Sequence, residues 1–130
     1  MKSLEDVKRI ISSRINNLKE RSDLWFSEIE NEKNDLEKCD KIRYLFKKEF
    51  KTIYQLNYEI SELIICLKRI ELCEDKDKYM DEISYMMDFY RGSLLNDNIA
   101  STTSMSYNLA TIYERETMQS LLKFYSKLYI

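Results

Sequence analysis

The stretch from Leu36 to Cys73 constrains this chain more than any other. It contains no Pro and no Gly, and it lies between Asn34-Asp35 and the polar run Glu74-Asp75-Lys76-Asp77-Lys78. Within it Ile53, Leu56, Ile60, Leu63, Leu67 and Ile70 recur at steps of three and four, and Ile42, Phe46 and Phe50 carry the seam toward the N-terminus with one slip. This is the period of one face of a long α-helix with a coiled-coil-like stripe. At about 1.5 Å per residue such a helix runs roughly 55 Å, longer than a small domain is wide. The rest of the chain must therefore cover the stripe.

Composition supports the same class. A single Gly and no Pro among 130 residues leave little for the tight turns that sheets and loop-rich folds require. The length suits one domain, residues 1–130, able to bury about two-thirds of its unfolded surface. The expectation is an all-α, up-and-down helical bundle of three to four long helices with one dominant central helix.

The flanking helices follow from caps and spacing. Ser3-Leu4-Glu5-Asp6 has the form of a capping box with Asp in place of Glu, and its two acids favour the positive helix start. Leu4, Val7, Ile11, Ile15, Leu18, Trp25 and Ile29 form a stripe, predicting helix 1 over about 4–31. One ring of Trp25-Phe26 must face the core, since neighbours on a helix point about 100° apart. Asn34 with Glu37 predicts the cap of helix 2, and the short connection makes helices 1 and 2 an antiparallel hairpin. A second loop at about 74–77, capped by Asp75 or Asp77, leads to helix 3, with Tyr79, Ile83, Met86 and Tyr90 inward and Met80 and Met87 beside them. Gly92 either ends this helix or sits inside a longer one. A final helix over about 94–128 carries Leu95, Ile99, Thr102, Ser106, Leu109 and Tyr113, then Thr117, Leu121, Phe124 and Leu128. Its Ser/Thr-rich patch at 101–106 is a weak helix former, read as thin polar core or as small side chains that admit another helix.

Much chemistry is excluded by residue type. Without His the commonest general base and the Ser–His and Cys–His pairs are missing. One Gly leaves no phosphate-cradling loop. Cys39, Cys66 and Cys73 are odd in number and scattered, which fits free thiols rather than zinc ligands or disulfides. The carboxylate pairs Glu59–Glu62 and Asp81–Asp88 lie off the apolar stripes and read as solvated faces. No catalytic, cofactor or metal residue is assigned, and the chain is expected not to be an enzyme. No apolar run approaches a membrane span, and Met1–Asp6 lacks a signal-peptide core, so a cytoplasmic protein is expected. Abundant Lys, Ile, Asn and Tyr are the bias of an AT-rich genome, compatible with a viral or phage source.

Two surfaces remain as candidates. The first is the C-terminus, where Phe124, Tyr125, Leu128 and Tyr129 cover more than one helical face although termini are usually polar and frayed. They are expected in a partner or self-association interface, a homodimer being the commonest arrangement; the competing expectation is that the tail packs within the monomer. The second is a basic strip at 38–51. Lys41, Lys47, Lys48 and Lys51, with Tyr44 able to stack, have the form of a phosphate-backbone contact. Its alternative is neutralisation by the end of helix 1, where Glu28, Glu30 and Glu32 of an antiparallel hairpin sit near Lys38 and Lys41. A net charge of −2 argues against general nucleic-acid binding. The leading functional expectation is thus a non-catalytic protein–protein interaction, scaffold or inhibitor protein that self-associates. The other is a nucleic-acid or nucleoprotein accessory factor.

Overall fold

The computed structural model describes residues 2–31, 34–73, 75, 78–95 and 105–129, and the side chains of all of these except 25, 26, 28, 29, 45–48 and 105–110. Among the described residues four α-helices follow one another: α1 (Leu4–Glu30), α2 (Asp35–Glu71), α3 (Tyr79–Leu95) and α4 (Met105–Lys127). No strand occurs among the described residues, so the all-α class holds.

Local chemistry explains the helix starts. The Ser3 hydroxyl accepts the Asp6 amide at 3.2 Å, and the Asn34 side chain accepts the Glu37 amide at 2.9 Å. Each satisfies a backbone donor that has no partner inside its helix. The expected unbroken α2 is interrupted. At Glu49 the backbone leaves helical geometry, with φ −130° and ψ 19°. Gly92 does not end α3, which continues to Leu95 with helical backbone at the glycine. The predicted start of the last helix at 94 is therefore corrected: Leu94 and Leu95 belong to α3. Positions 96–104 of the predicted last helix, including most of the Ser/Thr patch, lie outside the described residues, as do Asp77 and the side chains of Trp25, Phe26 and Ile29.

Pairing of side chains gives the relative directions. Arg69 meets Glu82 and Tyr90 meets Glu62, so α2 and α3 run oppositely. Lys51 meets Glu116 and Tyr54 meets Glu114, while Cys66 lies by Tyr125, so α2 and α4 run the same way. Tyr129 reaches the Met80 carbonyl at 3.0 Å and Arg115 the Ser93 carbonyl at 3.0 Å, making α3 and α4 antiparallel. The helix α2 packs against each of the other three.

The core joins Val7, Ile11, Ile15 and Leu18 of α1 to Leu56, Leu63, Cys66 and Ile70 of α2. It continues through Tyr79, Met80, Ile83, Met86, Met87 and Tyr90 of α3 to Met118, Leu121, Tyr125 and Leu128 beyond the midpoint of α4. The α3 stripe matches the expected one, and so does the α1 stripe from Leu4 to Leu18. On α2 the buried face is turned toward Glu59 and Cys66, leaving Ile60 and Leu67 at its margin. The α4 face turns likewise, taking in Met118 and Tyr125. Placing Glu59 on a solvated face is thereby corrected. It is only 8% exposed, and Arg14 donates to its Oε1 from Nε at 2.9 Å and Nη2 at 2.6 Å. A carboxylate can sit at the core margin when a guanidinium from a facing helix supplies charge-assisted hydrogen bonds.

Candidate interaction site

The four tail residues do not share one surface. Tyr125 and Leu128 are buried, and Phe124 is half-buried against the core with the Arg14 guanidinium 5.5 Å from its ring centroid. Tyr129 is more open, yet its hydroxyl pairs with that of Ser84 and donates to the Met80 carbonyl. Beneath the tail, the Tyr90 and Tyr125 rings lie parallel with centroids 6.0 Å apart. The Tyr90 hydroxyl donates to Glu62 at 2.9 Å. The Tyr125 hydroxyl faces Cys66 and Tyr90 without a hydrogen bond of good geometry among the described residues. Burial pushes the Cys66 thiol up to about 11 and raises both tyrosines well above their usual range. Such a thiol stays protonated and is a poor nucleophile.

The basic strip is divided. Lys41 lies 5.9 Å from the centroid of the exposed Tyr44 ring. Lys51 is taken up by α4: its ammonium is 3.0 Å from Glu116 and 5.6 Å from the Tyr113 ring centroid. Hydrogen bonds from Lys51 and Gln55 hold the Glu116 carboxyl below its usual range. The Lys47, Lys48 and Glu28 side chains and residue Glu32 lie outside the described residues. Neutralisation of Lys51 thus comes from Glu116 of α4. Next to it an open groove of about 370 Å³ is lined by Phe50, Ile53, Tyr54, Asn57, Tyr58 and Ser61.

Several carboxylates are already engaged. Glu59 holds Arg14, Glu82 holds Arg69 at 2.8 Å, and Glu114 accepts from Tyr54 at 2.5 Å. Asp81 and Asp88 are exposed as expected. Among the described residues no three Cys, Asp or Glu side chains gather where a metal could sit. No described helix is long and apolar enough to cross a membrane.

The sequence reading missed the outer flank shared by α2 and α3. Ile65 is 48% exposed, Tyr85 56% and Phe89 57%. The Arg69 guanidinium lies 4.6 Å from the Tyr85 centroid. Ile65 is one turn before Arg69 and Phe89 one turn after Tyr85, so in antiparallel helices the apolar pair continues the same flank. The signal was available: Tyr85 and Phe89 stand four apart and fall off the Tyr79–Ile83–Met86–Tyr90 stripe. Comparison with family models, with curated proteins and with solved structures finds no match.

Proposed function

We propose that this chain is a non-catalytic protein–protein interaction protein of the cytoplasm, an up-and-down bundle with α2 as its spine, that pairs with a second copy of itself. The observation that supports this reading is the open apolar flank at Ile65, Tyr85 and Phe89. The core inside is already filled from all four helices, so these groups are not needed to close it. Large apolar side chains grouped on a surface favour a covering partner, and a two-fold homodimer is the commonest way to provide one.

Light scattering across a concentration series tests this directly. The expected mass rises from that of the 15.8 kDa chain to twice that value as concentration increases. A single monomeric species throughout would overturn self-association.

A further inference from the structure

Among the described residues nothing packs against Gly92 that requires a glycine there. Its backbone is helical rather than left-handed, and a Cβ built there meets no described atom within 4 Å. Glycine inside a helix is less favourable than alanine. It also lies on the outer face of α3: Tyr85, Phe89 and Gly92 are spaced by four and three and so stand above one another. Tyr85 and Phe89 are exposed. That face therefore presents two aromatic knobs and, one turn on, a hollow where backbone is bare.

We propose that the outer face of α3 is the homodimer interface, with two copies packed antiparallel so that Tyr85 of each lies over Gly92 of the other. This rests on the self-association reading above and names its surface. A second copy is favoured as occupant because the face is complementary to itself. A two-fold axis near Asp88 and Phe89 places knob in hollow twice, as isologous contacts require. The charges follow the same symmetry. Asp88 and Arg91 form a pair at 3.0 Å within one chain. The rotation that brings Tyr85 to Gly92 brings Asp88 to within about half a turn of Arg91 of the second copy. Opposite charges then alternate across the rim. The absence of a side chain at 92 allows the close backbone approach that an aromatic knob needs, which explains why the helix carries glycine there.

Sedimentation equilibrium of the full chain and of Gly92→Leu and Phe89→Ser tests the proposal, with circular dichroism melting of each in the dilute, monomeric range. Gly92→Leu should keep or raise monomer stability, because leucine is the better helix former and has open space. Its dimer dissociation constant should nevertheless rise by about tenfold or more, and that of Phe89→Ser likewise. A wild-type dimer that both variants leave unchanged would overturn this interface while leaving self-association standing. A wild-type chain that stays monomeric at every concentration would overturn both.

Discussion

At the scale of single residues, three-dimensional position decides what each polar group does. Glu59 is held at the core margin by two hydrogen bonds from Arg14, and Arg14 also lies against Phe124. Glu59→Ala removes the acceptor for both bonds and should lower stability by about 2 kcal/mol in urea denaturation. The buried thiol and phenols make a prediction about pH. Cys66 is raised from 9.0 to about 11, chiefly by burial. Tyr54 is raised from 10.0 to about 12, first by its hydrogen bond to Glu114 and then by burial. Burial raises Tyr58, Tyr90 and Tyr125 as well. The folded state thus favours the protonated forms, and the unfolded chain releases these protons first. Their contribution is complete below pH 9 and is lost as pH rises through the range from 9 to 12 set by Cys66 and Tyr54. Melting temperature should fall over that range, with part of the tyrosinate absorbance appearing only as the helical signal is lost. Normal titration of every tyrosine in a fully helical protein would contradict the buried cluster.

At the scale of elements, caps and core faces carry the helices. Removing the Asn34 side chain leaves the Glu37 amide without its acceptor, so Asn34→Ala should cost about 1 kcal/mol, read as a lower urea midpoint. The centre of α2 is far less tolerant. Leu63 is fully buried within the apolar cluster of the core, where an aspartate loses its hydration. Leu63→Asp should destabilise by about 4 kcal/mol or more, enough to unfold a domain of ordinary stability. A melting curve close to wild type would mean that the buried face of α2 lies elsewhere.

At the scale of the whole molecule, the end of α4 ties the arrangement together. Tyr125 and Leu128 are buried, Tyr129 reaches α3, and Lys2 donates to the Lys127 carbonyl at 3.1 Å. Deleting residues 124–130 should therefore lower the melting temperature sharply, rather than remove self-association from an intact fold. Retained helicity and melting temperature with lost pairing would instead place the tail in an interface.

The all-α class, the caps at Ser3 and Asn34, the α3 stripe and the α1 stripe as far as Leu18 were determined by the sequence alone. Capping bonds and apolar period act within a few residues of chain, so they are written where they operate. The break at Glu49 was not among those local signals: the chain there has no Pro or Gly, and an unbroken helix was expected. Tertiary structure alone decided that Glu59 and Tyr125 turn inward. A helical period selects an arc of the helix surface, but its centre is set by where neighbouring helices press. On α2 that pressure moves the buried face toward Cys66 and Glu59, because Arg14 of α1 can satisfy the carboxylate there. On α4 it brings Tyr125 against Tyr90, a contact between residues far apart in the chain that neither segment encodes by itself.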